Sequence, residues 1–291
     1  MMHIQQGTVQ ILFVTDIMWH SMNYDQYYQL CKKSYAGKVN INSIANFYTD
    51  PVKIYNSNFF GEEYLNIVKS LSKLITSDFN SNIDCDNDGI MIKHNNIWKF
   101  HKEISSICET LIPHMEENRY GCHLYVDKIY IYRTLKLDNR VSSYEWHYDN
   151  NPDEIVKTLI YLNDVDHNNS PYEYLKNPHN QGVLGTCTRK GTDCWYPPPN
   201  NSRVGHLIEG LKSQGYNTQQ VHGELGTTVS FINNSIHRVN PIIEGYRDVI
   251  NIRVKPTMQP APEYANPMYT TSYEYSGVVN RDPSPAWKSK I

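Results

Sequence analysis

Two short segments of this sequence hold side chains that bind metals and carboxylates. Trp146-His147-Tyr148-Asp149-Asn150 supplies a His-x-Asp pair, and His237-Arg238-Val239-Asn240-Pro241 supplies a second histidine about ninety residues on. Arg247 follows that histidine by ten positions, after Glu244-Gly245-Tyr246. Two imidazoles and one carboxylate gathered on one side of a transition metal leave the other side open to exchangeable ligands. His147, Asp149 and His237 are therefore the candidate metal ligands. Arg247 is the candidate partner for a carboxylate, because a guanidinium holds one by two parallel hydrogen bonds.

A His-x-acid pair alone is weak evidence in a chain with 12 histidines. His101-Lys102-Glu103, His114-Met115-Glu116 and His222-Gly223-Glu224 have the same spacing. The first lies in a helical pattern, where positions i and i+2 point to different faces. The second follows Pro113 at an expected helix end, and the third precedes Gly226 in an expected turn. His147 and Asp149 fall on an expected strand, where i and i+2 point the same way and reach one ion together. If 237–240 and 247–250 are paired strands, a turn near 242–245 returns Arg247 beside His237. A keto acid with two carboxylates spans that gap, chelating the metal at one end and meeting Arg247 at the other.

The elements around these residues change character along the chain. To about residue 117 the pattern is helical. Tyr64, Ile67, Val68, Leu71, Leu74 and Ile75 share one face, and Ile97, Phe100, Ile104, Cys108 and Leu111 share another that ends near Pro113. From about 122 the period becomes that of strands, over 124–132, 143–149, 155–162, 227–232 and 248–254. Short strands broken by turns, with no regular helix between them, give a fold class that is mainly β with flanking helices. The architecture expected is a double-stranded β-helix, a jelly roll of the cupin kind.

Three regions follow from this. Residues 1–117 form a mixed helical part packed on the barrel, and 118–256 form the barrel, with an insertion at 176–222 as lid candidate. Residues 257–291 form a tail that wraps the barrel, covers the site or contacts a second subunit, so a homodimer is left open. Within the insertion, Trp195 and Tyr196 are pocket candidates, and 203–214 reads as a short helix stopped by Gly215. Arg133 and Arg253 are weaker candidates for substrate contact; solvated surface positions are the favoured reading for both.

Composition narrows the partners. The formal net charge is −3 and no run of Lys or Arg stands out, so neither nucleic acid nor a membrane surface is expected to bind through charge. The apolar run 9–14 is too short for a secretory segment, and no stretch reaches membrane-spanning length. Six cysteines without a C-x-x-C pair read as free thiols in a reducing cytoplasm.

Taken together, residues 122–256 resemble an Fe(II)/2-oxoglutarate-dependent oxygenase of the phytanoyl-CoA dioxygenase and prolyl-hydroxylase type. The resemblance rests on 146–150, on Thr158-Leu159-Ile160-Tyr161-Leu162-Asn163-Asp164-Val165, and on His237 to Pro241 with Gly245-Tyr246-Arg247. Asn169-Ser170-Pro171 is similar to an Asn-Gly-Pro strand of such proteins, with Ser170 in place of Gly. It implies Fe(II) held by His147, Asp149 and His237, 2-oxoglutarate held by Arg247, and O2 as the oxidant. It also implies that Tyr161 donates its hydroxyl to the 2-oxoglutarate carboxylate. Related halogenases replace the carboxylate ligand with a small residue, so Asp149 favours hydroxylation or desaturation. The implied activity is hydroxylation of a small-molecule C–H bond with release of succinate and carbon dioxide. A peptidyl or prolyl hydroxylase and a non-catalytic cupin-like binding module are the alternatives.

Overall fold

The structure is a computed structural model that describes residues 24–35, 48–80, 83–85, 89–92, 94–136, 142–149, 154–185, 202–261 and 264. Trp195 and Tyr196 lie outside the described residues, as does most of the tail.

In chain order the elements are α1 (Tyr24–Tyr35), β1 (Val52–Tyr55), α2 (Glu62–Asp78), β2 (Ile83–Cys85), β3 (Gly89–Ile92), α3 (His94–Ile97) and α4 (His101–Met115). Then come β4 (His123–Thr134), β5 (Val156–Tyr161), β6 (Tyr172–Lys176), α5 (Gly205–Lys212), β7 (Asn217–Val221), β8 (Thr228–Ile232), β9 (His237–Val239) and β10 (Arg247–Thr257). The strands form two sheets among the described residues, in the orders β1-β8-β5-β10-β4-β3-β2 and β7-β6-β9, and the paired strands are antiparallel. A bridge between His147 and His237 adds the 147 segment to the free side of β9. From β4 onward the chain passes back and forth between two facing sheets, with the consecutive β6 and β7 both in the small one, which is the double-stranded β-helix.

Alternation along the central strands builds a core on each side of the large sheet. Outward residues of β10 and β5, among them Ile250, Ile252, Val254, Val156 and Ile160, pack with Val68, Leu71 and Ile75 of α2 and Ile104, Cys108 and Leu111 of α4. Inward residues such as Leu159, Tyr161, Val229, Phe231 and Val249 meet Tyr172, Tyr174 and Val221 from the small sheet. A large sheet apolar on both faces explains why its strands read as nearly continuous hydrophobic runs. The helices lie behind the barrel, away from the space between the sheets.

Four expectations about local structure need correction. Residues 143–149 form no strand. A 3-10 turn covers Ser142–Tyr144, and His147 makes isolated bridges to His237 and Arg203. Trp146 and Tyr148 instead join a small core with Leu175, Val204, Ile208 and Ile236. α4 runs through Pro113 to Met115, because buried Ile112 and Met115 hold its last turn where the proline forfeits one backbone bond. β9 and β10 are not a hairpin pair: β9 belongs to the small sheet and β10 to the large one. Within the expected insertion, Asn217–Val221 pairs with β6 and so is a strand of the small sheet.

Candidate metal centre

The backbone sets His147 opposite His237. Each donates its N–H to the other's carbonyl at 2.9 Å, which places the two side chains on the same side of the ladder. The Asp149 N–H bonds the Asn233 carbonyl at 2.9 Å, so the segment stays extended and its i+2 side chain follows. The imidazole centroids are 4.3 Å apart, and ligand atoms of His147, Asp149 and His237 all lie within 4.8 Å of one another. No other trio of such side chains comes together in this way among the described residues.

Both imidazoles are fixed in one tautomer. Nδ1 of His147 lies 2.7 Å from the Glu145 carbonyl and Nδ1 of His237 lies 2.6 Å from the Ser235 carbonyl. A carbonyl only accepts, so each Nδ1 carries the proton and each Nε2 offers a lone pair. Tyr172 stacks on His237 at 5.4 Å and Phe231 packs at 4.9 Å, holding that ring in place. Burial, with the neighbouring His237, pushes the His147 imidazole down to about 3, against the pull of Asp149. Burial also lowers His237. Burial works against ionisation of Asp149, but Lys157, with His237 and His147, holds its carboxyl well below the usual carboxylate range. At neutral pH the trio therefore presents two neutral nitrogens and one carboxylate. That donor set suits a divalent first-row metal such as Fe(II).

The decoy pairs scatter. His101 bonds Ser105 on its own helix, and His114 packs among the rings of Tyr55, Phe59 and Phe60. Glu116 caps the Leu124 N–H, and Glu224 accepts from Ser57.

Arg247 is 0% exposed at the start of β10. Its Nη1 donates to the Ser170 carbonyl at 2.8 Å and its Nη2 to Thr134 Oγ1 at 3.1 Å, while buried Nε has no partner. No carboxylate pairs with it among the described residues. Ser170, which stands where the resemblance expects glycine, has φ 71°, in the region glycine favours. Its hydroxyl donates to the Asn240 carbonyl and helps hold this turn.

Tyr161, the expected second partner of the carboxylate, is bonded within the fold. Its one hydroxyl proton goes to the Val221 carbonyl at 2.9 Å, and its oxygen accepts the Tyr172 N–H at 3.2 Å. Tyr161 thereby anchors β6 and β7. The buried Tyr172 hydroxyl has no partner, and neither does either amide atom of buried Asn233. Arg253 is not a solvated surface residue: its side chain is only 14% exposed and forks onto Asp127. Arg133 pairs with Asp248 at 2.7 Å through both Nε and Nη2 and stacks over the Phe79 and Tyr246 rings, so it is structural.

Lys157 and Tyr172 are not among the site candidates that the sequence suggests. Lys157 donates to Asp149 at 2.6 Å. The signal was present: alternation along β5 places it on the same inward face as Leu159 and Tyr161.

Two predictions arise here. A Cβ added at Gly185 would lie 2.3 Å from the ring of Tyr148, the residue between two candidate ligands. Gly185→Ala is expected to cost about 1–3 kcal/mol by overpacking and to weaken metal binding about tenfold. Thermal unfolding and a metal titration check the two effects. For the metal-free protein, a neutral His147 with a folded pKa of about 3 stabilises fully above the unfolded value of about 6.5. That contribution falls away as pH drops from there towards 3, because the unfolded chain takes the proton first. Urea midpoints should therefore decline from pH 7 to pH 4, and a flat profile would exclude a buried neutral pair.

No protein-family model matches this sequence, and no curated protein matches it. Solved structures are similar in outline. EctD from S. alaskensis with bound Fe is 12% identical, covering 80% of this chain and 84% of that one with a TM-score of 0.48. HygX from Streptomyces hygroscopicus with nickel, 2-oxoglutarate and hygromycin B is 14% identical over 76% and 89%, with a TM-score of 0.48. AviO1 from Streptomyces viridochromogenes Tue57 is 13% identical over 76% and 97%, with a TM-score of 0.43.

Proposed function

We propose that the protein is a non-haem Fe(II) dioxygenase that uses 2-oxoglutarate and O2 to hydroxylate a C–H bond of a small-molecule substrate, releasing succinate and carbon dioxide. The observation that carries this reading is Arg247, a fully buried guanidinium with an unused Nε and no carboxylate paired to it among the described residues, in a barrel that also holds His147, Asp149 and His237. An unpaired buried cation is costly, so the fold is built to receive an anion there.

His147 and His237 would hold Fe(II) through Nε2 and Asp149 through a carboxylate oxygen. Arg247 would hold the distal carboxylate of 2-oxoglutarate, with the Tyr172 hydroxyl as the nearby unspent donor and Tyr161 fixing the strand that carries it. When bound, iron with 2-oxoglutarate and O2 supplies the oxidant for the C–H bond. The protein's part is to orient the reactants and exclude water, which the closed core between the sheets serves. Lys157 keeps Asp149 ionised and oriented.

The test is succinate release from 2-oxoglutarate by purified protein with Fe(II) and ascorbate, across small-molecule and peptide panels. Stimulation by a small molecule supports the proposal, and stimulation by peptides alone would shift it to a peptidyl hydroxylase. No iron-dependent succinate with any addition would leave a binding module.

A further inference from the structure

The inner face of the large sheet carries a row of cations that, Lys157 apart, the 2-oxoglutarate reading does not use. Lys157 on β5 is in register with Arg253 on β10, and Arg253 with Lys128 on β4. Lys255 joins them just past the irregularity between Arg253 and Val254. Asp127, on the bulged stretch of β4, takes both Arg253 and Lys255, and Lys157 reaches the metal-site carboxylate Asp149. The row therefore begins at a candidate metal ligand and runs across three strands.

Among the residues named, four cations stand against the carboxylates of Asp127 and Asp149. Burial and then Arg253, with Lys255 and Lys157 adding, push the Lys128 amine down to about 7, although Asp127 pulls it up. Tyr125 and Tyr130 lie close enough to Arg253 to influence it. Asn251, on the same inward face between Val249 and Arg253, is buried, and its side-chain oxygen has no hydrogen-bond partner. An amide can turn either end to a ligand, so this is an unspent polar contact aimed into the same space.

The cosubstrate does not account for these groups. Arg247 and Arg253 are six residues apart on β10, about 20 Å along an extended strand. A five-carbon dicarboxylate running from Arg247 to the metal cannot also reach Arg253. We propose that Lys128, Arg253 and Lys255, with Asn251, form a subsite for an anionic group, a phosphate or a carboxylate, carried by the substrate. The inference deepens the proposed function and rests on that reading for the position of 2-oxoglutarate. Lys128 lies two strand spacings from Lys157, about 10 Å. The substrate is therefore a small molecule whose anionic group is separated from the oxidised carbon by roughly that length. Arg253 and Lys255 hold the anion from β10 and Lys128 from β4, while the amide of Asn251 takes a neighbouring polar group.

The test is anaerobic calorimetry on full-length protein loaded with Fe(II). 2-Oxoglutarate is titrated first, then inorganic phosphate or acetate in its presence, for wild type and for Lys128→Gln/Lys255→Gln. Arg253 is left intact because its fork to Asp127 joins β10 to β4. The expected result is saturable anion binding that weakens about tenfold or more in the double variant, as the loss of charge-assisted hydrogen bonds implies, with 2-oxoglutarate affinity unchanged. Preference for phosphate over acetate assigns a phosphorylated substrate, and the reverse a carboxylated one. Absence of saturable binding, or binding indifferent to the double variant, overturns the subsite while normal 2-oxoglutarate binding keeps the cosubstrate reading. Anion binding that survives in protein unable to bind 2-oxoglutarate keeps the subsite and overturns that reading.

Discussion

His237→Ala is expected to abolish iron binding and lower 2-oxoglutarate turnover by at least about 100-fold, since altering even an outer partner of a metal ligand costs 10- to 100-fold. The barrel should survive the change. His237 is held by its backbone pairing with His147 and by packing against Tyr172 and Phe231, and its imidazole is neutral in the metal-free protein. Removing the ring opens a cavity at the edge of the inner core, with an expected cost of about 1–3 kcal/mol. Far-ultraviolet circular dichroism should therefore match the wild type while a metal titration shows no saturation. Loss of the fold together with the metal would mean that His237 is a core residue before it is a ligand.

Arg247→Met separates cosubstrate binding from metal binding. A buried charge that lies in wait for a carboxylate contributes little to the empty protein and much to the complex. Its loss should raise the KM for 2-oxoglutarate by about 100-fold or more, the range measured when one partner of a desolvated charge pair is removed. Iron affinity should stay near that of the wild type. The metal-free variant should also be no less stable than the wild type, because an apolar side chain of similar size avoids burying a guanidinium. The lost bonds to Ser170 and Thr134 reduce this gain without reversing it, which the urea midpoint checks. Arg247→Lys keeps the charge but not the fork, and is expected to fall between the two.

The sequence held much of this site in readable form, for a physical reason. His147 and Asp149 are close in sequence, and an extended backbone sends i and i+2 to one side whether or not the segment is a regular strand. The three side chains therefore come together although 143–149 is not the strand expected. His237 and Arg247 were linked by their spacing, but the route differs. A hairpin would have set them side by side in one sheet, whereas the turn at 240–246 carries the chain from the small sheet to the large one. Which sheet receives β10 depends on packing with α2 and α4, and ten residues of local pattern hold no trace of that.

The polar groups inside the barrel were harder to read. Tyr161 looked like a free donor until its bonds to Val221 and Tyr172 were visible, and both partners come from the opposite sheet. Tyr172 reads from sequence as an ordinary aromatic of a strand, and only its stacking on His237 and its unspent hydroxyl set it apart. Arg253 looked solvated because a charged residue in an alternating strand normally faces water. Its withdrawal from water follows from the Asp127 carboxylate on the neighbouring strand, whose pairing is non-local.

The central claim is that one divalent metal sits on His147, Asp149 and His237 and that Arg247 fixes 2-oxoglutarate beside it. Anaerobic titration of Fe(II) and then 2-oxoglutarate into the wild type, His237→Ala and Arg247→Met tests it most directly. The expected result is one iron and one 2-oxoglutarate per wild-type chain, neither in His237→Ala, and iron without tight 2-oxoglutarate in Arg247→Met. Iron binding that is indifferent to His237, or 2-oxoglutarate binding that is indifferent to Arg247, would contradict it.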